Sequence, residues 1–298
     1  MHGDFYVEEN YIRTIKEPLL CFAEEPLLIM RSVDLAAKLG IELHETIKDA
    51  VKLKNELLKT VGTDGIRLEF EKIMTAEFAG HGLKILEEAG LLFHIIGNLA
   101  ERMPKGTKEQ LTGLIKNIDK TKPIKERRLG LFYLCFDKRR VFEGIRLLNY
   151  DAKTRELIAA ALKNLDAMDF LVDSRELKLF AARLGREKYE YLDGLAKARR
   201  IVYELPETAI LNRHYMMQRI KNNNEPLFVE DLDIDFDDLL ENDIAAGDKA
   251  DRIMEALLKL VHKKPELNKK KVLLFYARRY AKNPLMPIYQ RAMGFLRQ

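Results

Sequence analysis

The sequence predicts an all-α protein, and three observations carry that expectation. Sixteen Gly and nine Pro make up about 8% of the 298 residues, against a usual share near ~12%. Apolar residues recur at roughly 3.6-residue spacing in one segment after another, with Gly40 and Gly62 as stops. Proper strand signals are nearly absent. A composition 47% hydrophobic and 33% charged is too apolar for a disordered chain and too charged for a membrane protein. The length supports a sizeable core and about two domains.

Residues 1–22 are mixed and poorly periodic. Pro26 suits a first helical position, with Glu24 and Glu25 favouring the positive end of the helix dipole, and the run 27–39 stops at Gly40. A second helix is expected over 44–61, with Ile47, Ala50, Val51, Leu53, Leu57 and Leu58 on one side and Gly62 as its stop. Thr63 is the expected N-cap of the next helix. Gly80 and Gly82 read as punctuation before 83–90. Further helices are expected at about 92–102, 108–119, 124–136, 139–148, 151–165, 174–184, 186–204 and 207–221. The polar break Lys221-Asn222-Asn223-Asn224-Glu225-Pro226 is the best linker candidate. Beyond it the pattern gives 236–242, capped by Asp235, then 248–263, 267–281 and 285–296.

The net charge of +4 hides a polarised chain. Residues 102–140 hold twelve Lys/Arg against four Asp/Glu, and 262–282 hold eight against one. Between them, 225–251 carries eleven acids and one Lys. Cys21 and Cys135 stand in apolar surroundings, which makes neither a disulfide framework nor a reactive thiol and fits a reducing cytoplasm. No 18-residue apolar run and no basic-then-apolar leader is present, so a soluble, cytoplasmic protein with no membrane partner is expected.

A resemblance becomes specific from residue 12 onward. Ile12-Arg13-Thr14-Ile15-Lys16-Glu17-Pro18 leads into Phe22-Ala23-Glu24-Glu25-Pro26-Leu27-Leu28-Ile29-Met30-Arg31 and then Asp34-Leu35-Ala36-Ala37-Lys38-Leu39-Gly40. This resembles the neck of the bacterial tRNA nucleotidyltransferase (CCA-adding enzyme) and poly(A) polymerase family. There an Ile-Arg-Thr-x-Gly-x-Pro linker precedes Glu-Asp-Pro-x-Arg-x-x-Arg at the start of a helix. Residues 63–70 and 82–92 are similar to the family's following helices, and 233–240, Gly247 and 253–261 to its tail. The likeness runs from about 12 to about 282.

The resemblance implies an elongated multi-helix array of neck, body and tail. It places a head or linker remnant at 1–22, a neck-like domain at 23–90, a body-like domain at 91–222 and a tail-like domain at 223–298. In the family the chemistry sits in an α/β head ahead of the linker, with a Gly-Ser turn and an Asp-x-Asp metal pair, and the chain begins a few residues before that linker. No catalytic residue, metal or cofactor is therefore expected here. The family's template Asp and first Arg fall on Glu25 and Leu28, leaving Glu24, Glu25 and Arg31 as a nucleotide-template remnant. Residues 127–137 resemble the helix of a metal-dependent phosphohydrolase domain with its His lost, and none of the six His is followed by Asp. The Asp-x-Asp repeats at 231–237 read as a solvated capping segment.

The expected function is binding of tRNA or another structured RNA, with no DNA expected. Phosphate contacts would come from Lys105, Lys108, Arg127, Arg128, Arg139, Arg140, Lys263, Lys264, Lys269, Lys270, Lys271, Arg278, Arg279 and Lys282, with Tyr276 and Tyr280 interleaved. Two alternatives stay open: one part of a split nucleotidyltransferase completed by a separate catalytic head, or a protein-interaction scaffold using the acidic 225–251 segment.

Overall fold

The computed structural model describes residues 3–97 and 105–283, with the helix at 138–140 described without its side chains. The chain divides into two compact units, Met1–Leu165 with Tyr191–Pro206 and Asp166–Glu190 with Glu207–Gln298. The helical expectation holds across the described residues with one addition. Strands β1 (Phe5–Glu8) and β2 (Tyr11–Thr14) form an antiparallel hairpin, and β3 (Glu42–Leu43) runs parallel to β2, pairing Ile12 with Leu43. The hairpin turns on Glu9 and Asn10, both at positive φ, as a tight two-residue turn requires. Phe5, Ile12 and Thr14 point inward. Strands of four residues or fewer are too short for their alternation to stand out in the sequence.

In α1 (Pro18–Glu24) the first-turn proline is Pro18, and the Glu17 carboxylate accepts the Leu20 N–H at 2.9 Å. Pro26 lies instead in the turn before α2 (Leu28–Leu39), which ends on Gly40 at φ +65°. The segment 44–61 is not one helix: His44 caps α3 (Glu45–Lys54), and a 3₁₀ turn follows at Asn55–Thr60. Next come α4 (Thr63–Thr75), α5 (Ala79–Glu88) and α6 (Phe93–Ile96). Gly62, not Thr63, stands at the N-cap of α4. The rest of the expected 92–102 helix lies outside the described residues, as does 285–296.

Gly80 and Gly82 do not punctuate; both lie inside α5. A Cβ on Gly82 would stand 2.7 Å from Ile73 of α4 and 2.8 Å from Ala37 of α2, and one on Gly80 would run into the Ile115 carbonyl. Their role is close approach of helices. The unit continues with α7 (Lys105–Asn117), α8 (Lys125–Leu134), α9 (Lys138–Leu147) and α10 (Ala152–Asn164), the last capped by Asp151.

The second unit begins after Leu165 and contains α11 (Ser174–Leu184), capped by Asp173. Helix α12 (Arg186–Tyr203) contributes residues to both units. The second unit then takes α13 (Thr208–Asn222), α14 (Phe236–Glu241), α15 (Asp248–Lys263) and α16 (Lys270–Lys282). Its core joins Leu232, Ile234 and Leu239 to Ile253, Met254, Leu257, Leu258 and Val261 of α15 and to Leu273, Ala277 and Tyr280 of α16. The polar break at 221–226 falls within this unit. Buried Lys178 donates to Glu225 at 2.5 Å and to the His262 carbonyl at 3.0 Å, tying α11, the end of α15 and the break together.

Two predictions follow from these contacts. Gly80→Ala should lower unfolding free energy by about 1–3 kcal/mol, the usual cost of overpacking, measured by urea denaturation. The second concerns pH. Burial, then the neighbouring Lys178 charge, pushes the His262 imidazole down from 6.5 to about 4. Between those values the unfolded chain binds the proton and the folded one does not, so stability should fall as pH drops from 6.5 towards 4. For Glu225, burial works the other way but the Lys178 and Asn223 hydrogen bonds outweigh it and hold its pKa below 4.5, so its contribution is lost only at more acidic pH. His262→Leu should flatten the pH 4.5–6.5 part of the urea-midpoint profile.

Candidate nucleic-acid interface

The neck residues come together only in part. Glu25 follows the end of α1, and its carboxylate takes the Arg31 guanidinium at 2.5 Å. Glu24, the last residue of α1, turns to Lys16 at 3.0 Å. Glu24 thus sits at a helix end and not at the start of α2. Leu28, where the family's Arg would stand, is buried and offers no donor. Behind Arg31 lie two buried carboxylates, Glu69, which meets Lys72 at 2.8 Å and Arg31 at 3.9 Å, and Asp34, which meets Lys38 at 2.5 Å. Burial, against the Lys38 contact, raises the Asp34 pKa. The Glu25 and Arg31 groups that would face a base are committed to each other.

The first basic stretch divides sharply. Lys105 and Lys108 are exposed on α7, with Lys105 3.9 Å from Glu109. The side chains of Arg139 and Arg140 lie outside the described residues. Arg127 is half-buried, its guanidinium lying over Gly194 so closely that a Cβ there would strike it. Arg128 is a correction. It is 2% exposed and cannot reach a phosphate. Its Nη1 donates to the Met74 and Ala76 carbonyls at 3.0 and 2.8 Å, and its Nε and Nη2 donate to Thr121. Arg128 therefore satisfies carbonyls at the C-terminal end of α4, where the dipole favours a cation. Burial lowers its pKa, with Asp119 opposing.

The second stretch is the better surface. Lys263, Lys264, Lys269, Lys271, Arg278, Arg279 and Lys282 are exposed. At 100° per residue, 271, 275, 278, 279 and 282 share one sector of α16 about 100° wide, while buried Leu273, Ala277 and Tyr280 lie opposite. Lys270 points elsewhere and closes on Asp238 at 2.5 Å. Its charge is met within the unit, so Lys270 is removed from the open set. Arg278 donates to Asn242 at 3.0 Å and keeps its exposure. Tyr280 is buried and Tyr276 half-buried, so neither interleaves with the cations at the surface. The exposed aromatic on this face is Phe275, which sequence reasoning missed; the helical phase that groups it with Lys271 and Arg279 was the available signal.

Four of the eleven acids of 225–251 serve backbone N–H groups. Asp231 accepts the Leu227 and Phe228 N–H groups and pairs with Arg186, and Asp233 accepts the Lys270 N–H at 2.8 Å. Asp235 and Asp238 cap α14 reciprocally, as the Asp235 expectation required. The Lys270 hydrogen bond, with lesser help from the Asp235 N–H, lowers the Asp238 pKa. A cavity of about 450 Å³ lies beside them, lined by Leu232, Ile234, Phe236 and Met254 with Asp233, Asp235 and Lys270. Among the described residues, no group of three His, Cys, Asp or Glu could hold a metal ion. No helix among them is long and apolar enough to cross a membrane. Cys135 is buried against the Leu131 carbonyl and Tyr203, and burial pushes its thiol up to about 12, so it has no thiolate for nucleophilic chemistry.

No family model matches the chain. The CCA-adding enzyme of Geobacillus thermodenitrificans is 33% identical over 100 residues, 34% of this chain and 24% of that protein. Those of a Geobacillus species and of Leuconostoc citreum are each 30% identical, over 93 and 91 residues. The aligned stretches thus span about a quarter of these relatives' length. The fold extends further. The Bacillus stearothermophilus CCA-adding enzyme, solved in complex with CTP, matches 92% of this chain with a TM-score of 0.61 at 19% identity, and the match covers 67% of that chain. A second CCA-adding enzyme structure with CTP gives a TM-score of 0.57 over 89% of this chain and 62% of its own. At these identities the structural likeness is one of fold. The expected resemblance is therefore present in sequence over about a third of the chain and in fold over most of it.

The two neighbouring arginine and lysine pairs give a test. Arg128→Met leaves the Met74, Ala76 and Thr121 acceptors buried without their donor and should cost on the order of 3 kcal/mol. Lys271→Met, on an open helix face, should leave the urea midpoint unchanged.

Proposed function

We propose that this chain, a relative of the CCA-adding enzymes over part of their length, is an RNA-binding helical module whose ligand is tRNA or a similarly folded RNA. The observation that carries the reading is the outward face of α16, which gathers Lys271, Arg278, Arg279 and Lys282, has no acidic residue on the helix, and stands beside exposed Lys263, Lys264 and Lys269. Such a face neutralises phosphates and releases their counterions, which makes affinity salt-dependent without reading base sequence. The kinship with enzymes named for adding CCA supports tRNA as the RNA. Lys105 and Lys108 form a second, smaller set of candidate contacts on α7.

The reading gives this chain the binding role and assigns nucleotide addition to a separate catalytic head. Two-metal transfer needs carboxylates fixed around the metals, and the neck residues that would template a base are Glu25 and Arg31, already paired. Incorporation of CTP or ATP into tRNA by the chain alone would overturn that division of labour.

Fluorescence-anisotropy titrations with folded tRNA over a range of salt concentrations test the binding role. A linear fall of log K with log salt is expected, and Lys271→Ala and Arg278→Ala should each reduce the slope by about 0.7–0.9. Absence of binding at low salt, or binding without a salt slope, would refute it.

A further inference from the structure

Phe275 is 53% exposed at the centre of the cationic face of α16, between Lys271 one turn before and Arg278, Arg279 and Lys282 after it. The Arg279 guanidinium stands 5.5 Å from the centre of the Phe275 ring. Tyr276 braces the ring edge-on, with centroids 5.5 Å apart, and Tyr276 in turn leans on buried Tyr280 at 6.2 Å. The ring is therefore braced on α16 by aromatic and cationic neighbours, with more than half of its residue surface open.

A partner for this face must satisfy both chemistries. Helix α16 has no acidic residue, so its rim repels basic protein segments and attracts phosphodiesters. A flat apolar ring inside such a rim suits a nucleobase, since every base has a π-face and cations beside an aromatic strengthen the contact. Bases stacked within a duplex cannot reach it. We propose that Phe275 is a stacking platform for one unpaired base, so that the RNA recognised by α16 is a loop or another element with an unstacked nucleotide, and not a continuous helix. The bracing matters here, because a ring already held by its neighbours loses less freedom on binding.

This inference rests on the RNA reading, and its test separates the two. An RNA hairpin with an unpaired loop and a blunt duplex with the same number of phosphates are titrated against the chain, its Phe275→Ala and Phe275→Tyr variants, and Lys271→Ala. The native chain should prefer the hairpin. Phe275→Ala should cut hairpin affinity roughly tenfold, leave duplex affinity and the salt slope unchanged, and melt with the native circular-dichroism profile. Phe275→Tyr should restore the preference, and Lys271→Ala should weaken both RNAs alike. Equal binding of hairpin and duplex by the native chain, or an unchanged preference in Phe275→Ala, would overturn the stacking role while leaving RNA binding intact. Failure of the native chain to bind either RNA at low salt would overturn both.

Discussion

The turn between α4 and α5 depends on a buried guanidinium, Arg128, and an exposed carboxylate, Asp119, that serve opposite helix ends. Arg128 donates to the Met74 and Ala76 carbonyls where α4 stops, and Asp119 accepts the Gly80 N–H at 3.0 Å where α5 starts. Each charge sits at the pole its sign prefers. Burial lowers the Arg128 pKa with Asp119 opposing, and burial raises that of Asp119 with the Gly80 N–H and Arg128 opposing. Gly80 and Gly82 let α5 close on Ile115, Ile73 and Ala37. The helix ends and the helix contacts are therefore one arrangement, and Arg31 and Glu69 are carried on α2 and α4 beside it.

The second unit solves a different problem, because its sequence places a long acidic run directly before a basic one. Opposite blocks of that kind would neutralise each other if they met face to face. They meet only at selected points. Asp231, Asp233, Asp235 and Asp238 spend their oxygens on backbone N–H groups of turns and caps, and Lys270 alone of the α16 lysines closes on the acidic side. These four aspartates shape the chain path from Leu227 to α14, while Asp237, Glu241, Asp243, Asp248 and Asp251 stay exposed. What remains outward on α16 is cationic.

Long periodic helices, their glycine and aspartate caps, and the buried cysteines were legible in the sequence, because each depends on near neighbours. Gly40 after α2 and Asp235 before α14 stand where local pattern puts them. The hairpin at 5–14 was not, since its strands gain their inward face only when Leu43 arrives beside Ile12. Nor was the packing role of Gly80 and Gly82, which depends on residues up to 45 positions away in the chain. The site residues were lost in two ways, Lys270 to an ion pair with Asp238 and Arg128 to burial. Arg128 stands where α8 passes from its charged first turn into a buried stretch, with Leu129, Leu131, Phe132 and Tyr133 following it into the core.

Adjacent basic residues in this protein have opposite fates, and helical phase decides which. Arg127 lies over Gly194 at partial exposure while Arg128 is enclosed; Lys270, itself exposed, pairs with Asp238 while Lys271 faces out on another side of the helix. One residue along an α-helix is a rotation of about 100°, enough to carry a side chain from solvent to core. A count of charges in a window therefore overstates the surface available to a polyanion. Phasing the same residues on the helix leaves a smaller set, but one in which Lys271, Arg278, Arg279 and Lys282 surround a single exposed ring. That conjunction is more informative than the larger tally, because phosphate attraction alone would need only the charges and gives no account of an exposed Phe275 among them.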